Sequence, residues 1–172
     1  IPMSTLLTKT AIMSSPYTQE YDLGEYGLYY IDFKIKKIID KLSTGEIKCK
    51  EYKNNNFDFK TVYHEFPDFY KKNYNYNSKI LITDFFGIDF NYLMIDGNHT
   101  FERKKATKES FLVYHIPYQE LSNDCFCNKI SYLIFYLHNE FWTIFQLNKN
   151  NKEVQSKLIQ QSKIFLNTKS FI

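Results

Sequence analysis

The stretch Leu93-Met94-Ile95-Asp96-Gly97-Asn98-His99-Thr100-Phe101-Glu102-Arg103 changes character at its fourth residue. An apolar run ends in the cluster Asp96 to Thr100, which cannot continue a strand ladder, and a segment rich in Lys and Glu follows. The spacing predicts a strand that passes through a Gly-containing turn into a helix over Phe101 to Ser110, with Thr100 as its N-cap. Upstream, Lys79 to Asp84 and Phe90 to Ile95 are apolar runs separated by Phe85-Phe86-Gly87-Ile88-Asp89, which has the length and glycine content of a hairpin loop. Downstream, Phe111 to Ile116 reads as a further strand, stopped by Pro117. Strand, strand, loop, helix, strand is the order of a small α+β unit.

Outward from this centre the signals weaken. Leu28 to Ile39 partly alternates apolar and polar residues and predicts a strand leading to the turn at Ser43-Thr44-Gly45, with a second strand over Ile47 to Tyr52. Asn54, Asn55 and Asn56 predict a loop, because Asn side chains compete for backbone hydrogen bonds. Phe57 to Tyr76 carries irregularly spaced aromatics around Pro67 and reads as a short helix or two. In the tail, Ile130, Leu133, Ile134, Leu137, Phe141, Ile144 and Phe145 recur at helical steps, so a helix from Lys129 should bury that face. A second helix is expected over about Lys152 to Phe165. The chain thus divides into an irregular arm (1–22), an α+β core (23–128) and C-terminal helices packed on it (129–172).

The chain has 172 residues, about one domain's worth, and a formal charge of +3. Its 19% aromatic content and low net charge exclude a disordered chain. No apolar run approaches the roughly 18 residues of a membrane span, and no basic, then apolar, leader is evident, so a cytoplasmic protein is expected. Cys49, Cys125 and Cys127 are an odd set and not a disulfide framework. The single-residue gap between the last two is wrong for zinc, and no second pair exists, so no metal site of the chain's own is expected. Arg103 is the only arginine.

The chemistry concentrates in the loop. Gly97 permits a positive φ and a close ligand approach, while the following helix turns free amides and its positive dipole end towards an anion. His99 can donate to a phosphate oxygen or shuttle a proton, and Asp96 can act as a base or meet a hydrated Mg²⁺. Arg103, one helical turn beyond His99, supplies a guanidinium fork on the same side. Asn98 and Thr100 complete the phosphate-binding set.

This loop in its strand-helix-strand setting, roughly Lys79 to Pro117, resembles the Asp-Gly-X-His-Arg loop of the ParB/sulfiredoxin-like superfamily. The resemblance implies a mixed sheet of that type and a pocket for a nucleotide or another phosphorylated small molecule, with Mg²⁺ arriving alongside a nucleoside triphosphate. It further implies hydrolysis or transfer of a phosphoryl group, with Asp96 and His99 catalytic and Gly97, Asn98, Thr100 and Arg103 on the phosphate. Thr100 stands where the family usually has Arg, directly after His. The redox branch of the family carries a nucleophilic Cys where this loop has Asn98, and the Gly-Glu-Arg-Arg pattern of the partition branch is absent.

Two other classes stay open. A non-catalytic protein-interaction module, such as an inhibitor or regulator from a phage or other mobile element, fits the missing Arg and the abundance of Tyr and Phe. DNA binding or nuclease activity would use segments such as Tyr70 to Tyr76, where aromatics alternate with Lys and Asn. The plain reading of the loop is an ordinary turn, and His64, His115 and His138 read as packed or surface histidines.

Overall fold

The protein is described here by a computed structural model covering residues 17–22, 28–63, 78–87 and 90–162. The first strands, β1 (Tyr17–Asp22) and β2 (Leu28–Phe33), pair antiparallel, so the end of the expected irregular arm is ordered sheet. The strand predicted over Leu28 to Ile39 stops at Phe33, and the chain enters α1 (Ile35–Ser43). The reason lies in Ile35, Ile38 and Leu42, whose three- and four-residue steps suit a helix better than a strand. Ile38 is fully buried and the other two pack on the same core.

A short strand β3 (Lys50–Lys53) follows, later than expected, because Ile47 is held to α1 by the hydrogen bond its N–H donates to the Lys41 carbonyl. The Asn run forms a tight turn of 3₁₀ type (Asn54–Asn56), and a second such turn (Phe59–Thr61) leads into β4 (Val62–Tyr63). Over Phe57 to Tyr63, the described part of the segment expected to hold a short helix or two, the chain thus forms a 3₁₀ turn and a strand instead. The rest of that segment, with His64 and Tyr70 to Tyr76, lies outside the described residues.

The predicted hairpin is present as β5 (Ile80–Asp84) and β6 (Tyr92–Asp96), paired antiparallel. The next helix, α2 (Asn98–Thr107), starts and ends about three residues earlier than expected. Gly97 and not Thr100 is its N-cap, and Lys108 ends it by entering the left-handed region at φ 56°. Then come β7 (Leu112–Ile116), α3 (Lys129–Phe141), a π-helical turn (Trp142–Gln146) and α4 (Lys152–Gln161).

The main sheet is mixed, with strand order β3-β7-β5-β6-β4. The central strand β5 is antiparallel to β6 and parallel to β7, so α2 crosses from one side of β5 to the other. Strand residues alternate between two apolar clusters. One face gives Ile80, Ile82, Met94 and Val113 to a cluster with Phe101 of α2 and Phe111. The other gives Leu81, Leu93, Ile95 and Ile116 to a larger cluster with Ile31, Phe33, Ile38, Phe126, Phe135 and Tyr136. The α+β class is therefore established, as a sheet covered on both faces.

The helix α3 turns a different face inward from the one expected. Ser131, Phe135, Tyr136, Asn139 and Glu140 are buried, whereas Ile130, Leu137 and Phe141 are exposed. Its polar inward residues are hydrogen-bonded, as burial demands. Ser131 Oγ accepts from Asp32 N at 3.1 Å and donates to Tyr30 O at 3.2 Å, tying α3 to β2.

A second polar tie joins α1 to the loop before α3. Lys41 is buried, with Nζ 2.8 Å from Asp124, 2.7 Å from Glu46 and 3.0 Å from Ser122 Oγ. Lys41 and Ser122 hold the Asp124 carboxyl below its usual range. A depressed carboxyl pKa contributes stability that is complete above the unfolded value of about 4 and is lost as pH falls through the folded value. Asp124 is about half exposed, so solvent screening keeps the contribution small. Asp124→Asn is expected to cost about 1 kcal/mol at pH 7. Urea melts along a pH series should show the gap to the parent protein closing on acidification.

Candidate functional site

The loop between β6 and α2 owes its shape to one glycine. Gly97 is buried at φ 94° and ψ 15°, where L side chains are strained. A Cβ there would also lie 2.7 Å from the Lys79 carbonyl oxygen and 2.8 Å from Ile80 Cα. The loop is thus pressed on the start of β5, and α2 leaves at the angle that seats Phe101 in the core. As a glycine N-cap it brings no side chain to the first amides of the ten-residue helix.

Around this corner the predicted residues take different positions. Asp96, at the end of β6, is half-buried, and its Oδ1 accepts from Gly97 N at 2.8 Å. Burial outweighs that bond and pushes the carboxyl pKa up, the direction that suits a base working near neutrality. Asn98 is buried, His99 half-buried, and both begin α2. His99 and Arg103 are one turn apart on one side of the helix, with Arg103 exposed.

Thr100 behaves differently from the expectation. As the third residue of α2 it is buried, and its Oγ1 lies 2.7 Å from Ser78 Oγ, so its hydroxyl fastens the helix to the segment before β5. It also borders a shallow cleft of about 290 Å³ together with Ser78, Lys79, Lys104, Ser110 and Tyr114. The Lys79 ammonium lies 4.9 Å from the centre of the Tyr114 ring. Two lysines and four hydroxyl side chains here line a cationic recess beside the first turn of α2, with Ile80, Phe111 and Leu112 as its apolar walls. Lys104, one helical turn after Thr100, stands at this recess.

Sequence reasoning missed a pair at the other end of β5. Asp84 Oδ1 is 2.7 Å from His115 Nε2, and Asp84 Oδ2 accepts from Tyr118 N at 3.0 Å. His115 is nine-tenths buried, with Tyr92 edge-on at 5.2 Å and Tyr52 at 6.2 Å. Its Nδ1 is buried with no hydrogen-bond partner among the described residues. The pair is therefore a hydrogen-bonded dyad held through both carboxylate oxygens of Asp84, about 13 Å along the strands from the loop by strand rise. Only the parallel pairing of β5 with β7 joins its members, and no local pattern announces that. His138, by contrast, is a packed residue. It stacks on Phe85 and bonds to the Phe86 carbonyl, and burial lowers its pKa.

Among the described residues no group of three or more His, Cys, Asp or Glu is arranged to hold a metal ion. No helix among them is long and apolar enough to cross a membrane. Comparisons with protein-family models, with curated proteins and with solved structures find no match to this chain.

Two substitutions test the corner. Gly97→Ala adds both backbone strain and a collision with β5, so a loss of about 3 kcal/mol or more is expected in chemical unfolding. Asp96→Asn has the opposite sign. A raised carboxyl pKa means the ionised form is disfavoured in the folded state, a cost absent below the unfolded pKa and complete above the folded one. The variant should therefore melt at a higher temperature than the parent protein at pH 7 to 8, and the difference should vanish near pH 4.

Proposed function

We propose that the chain binds a nucleotide or another phosphorylated small molecule at the Asp96 to Arg103 loop, as its ParB/sulfiredoxin-like resemblance implies. The observation that carries this reading is Gly97, a left-handed N-cap that leads directly from β6 into α2 and gives its first turn no side-chain cap. Such a turn attracts an anion through its amides and the positive end of the helix dipole. The adjoining recess, with Lys79 and Lys104 on its walls, would take further negative charge.

In this reading the amides of the first turn cradle a phosphate and His99 donates to one of its oxygens. Arg103, at the exposed rim, closes on the ligand from outside. Asp96 is the base for an attacking hydroxyl or water, consistent with its raised pKa. Mg²⁺ would come bound to a triphosphate, since one protein carboxylate plus phosphate oxygens is a usual coordination for that ion. Asp96 is the residue placed to meet it, and the ion would neutralise charge on the phosphates.

One observation favours a non-catalytic interaction module instead: the Thr100 hydroxyl, at the family's Arg position, is committed to Ser78. Calorimetric titration with ATP, CTP and GTP in the presence of Mg²⁺ separates the two. Binding of at least one nucleotide is expected, weakened about tenfold by His99→Ala or Arg103→Ala, the loss of one charge-assisted contact. Silence for all three removes the nucleotide reading.

A further inference from the structure

We propose that the side of α2 carrying Lys104, Lys105 and Lys108 binds single-stranded nucleic acid, in a groove made of two recesses that meet at Lys104. The first is the recess of about 290 Å³ beside Thr100, with Lys79, Ser110 and Tyr114 on its walls. The second, of about 220 Å³, is lined by Asn54, Phe59, Lys105, Lys108 and Glu109. Lys104 and Phe111 border both. At about 100° per residue, these three lysines of α2 lie on a different side of the helix from His99 and Arg103. The groove therefore goes beyond the loop site, with which it shares only the recess of Lys79 and Lys104.

Charge selects the class of partner. Lys53 also stands at the groove, because it pairs in register with Leu112 of the first recess and precedes Asn54 of the second. Lys53, Lys79, Lys104, Lys105 and Lys108 thus face two acids, Glu109 and the Glu51 that pairs with Tyr114. That surplus equals the formal charge of the whole chain, +3, so the remainder is balanced and the positive field is concentrated here. Among the described residues none of the five ammonium groups makes an ion pair, whereas the buried Lys41 is held by Asp124 and Glu46. Glu109 accepts from Thr107 Oγ1 at 2.9 Å. The helix dipole accounts for lysines late in α2, but Lys53 and Lys79 come from β3 and the approach to β5, where it has no hold.

The rings select a nucleic acid among polyanions. A single strand offers a phosphate and a flat base in turn, and proteins that hold it combine a cationic groove with aromatic platforms. Both recesses have that pairing. Lys79 Nζ lies 4.9 Å from the centre of the half-buried Tyr114 ring, and Lys105 Nζ 5.6 Å from that of Phe101. Phe59, half-buried, stacks on Phe101 at 4.6 Å in the second recess. Tyr114 and Phe59 are the platforms for bases, the lysines between them take the phosphates, and Asn54 and Ser110 offer hydrogen bonds to base edges or sugar. A duplex keeps its bases stacked on one another and presents no base face to either ring, and an acidic peptide has no flat group for them.

Fluorescence anisotropy of the full chain with a labelled single strand of about 12 nucleotides, within the usual site size, tests this in a DNA and an RNA arm. Binding is expected in at least one. With four phosphates neutralised, affinity should fall about fiftyfold between about 50 and 200 mM salt. Lys104→Glu, at the point the two recesses share, should weaken binding about tenfold, and Lys79→Ala or Lys105→Ala about threefold each. Lys157→Ala, exposed on α4, should leave it unchanged. Circular dichroism melts check that Lys104→Glu folds, and should it not, the two alanine variants at exposed positions decide the matter. No binding in either arm at about 50 mM salt, binding that survives these variants, tighter binding of the corresponding duplex, or equal binding of polyglutamate would each overturn the inference. The nucleotide reading of the loop is judged separately, by titration with mononucleotides.

Discussion

The packing of Gly97 on the backbone of Lys79 and Ile80 is the constraint from which the rest of the core follows. Without a side chain at that point the end of β6 can press against the start of β5, and α2 can begin at once. The same contact sets the path of α2 over the sheet, so Phe101 meets Phe59 and Phe111 in one aromatic cluster. Having crossed, the chain can only return on the far side of β5, and β7 pairs there in parallel. That parallel pairing in turn brings His115 beside Asp84. Two chemically interesting places at opposite ends of one strand thus share a single geometric cause.

The two faces of the sheet differ in kind. The face under α2 is small and aromatic, and towards the end of β5 it grades into the Asp84–His115 pair beneath Tyr52 and Tyr92. The opposite face carries the larger cluster and the polar ties through Ser131 and Lys41. These ties matter because they orient α1 and α3 as well as hold them. Each buried polar side chain needs its own partner, and a rotated helix would leave it unpaired at a cost of about 1–3 kcal/mol. A purely apolar helix face has no such preference. Ser131 and Asn139 therefore choose which side of α3 faces in, against the pull of Ile130, Leu137 and Phe141.

That choice explains where the sequence was readable and where it was not. The hairpin of β5 and β6, the glycine turn, α2 and β7 were legible because their signals are local: alternating or continuous apolar runs, a turn cluster, a proline stop. The start of α2 was misplaced because Thr100 is a better side-chain cap than Gly97 in isolation, while β5 excludes any side chain at position 97. The Leu28 to Ile39 segment failed because it joins a strand and a helix with only Lys34 between them, and a partial alternation hides the junction. Of the candidate site, Asp96, Gly97, Asn98 and His99 do gather at one corner. Thr100 turns to Ser78, and Arg103 lies at the exposed rim.

The sequence by itself determined the α+β class, the strand-turn-helix at Asp96 to Arg103 and the helical character of the tail, because each depends on contacts between residues near in the chain. Only the tertiary structure decided which face of α3 is covered, that Lys41 belongs with Asp124, and that Asp84 and His115 form a hydrogen-bonded pair. Those partners are separated by tens of residues and meet through sheet order and polar pairing, quantities that no local periodicity encodes.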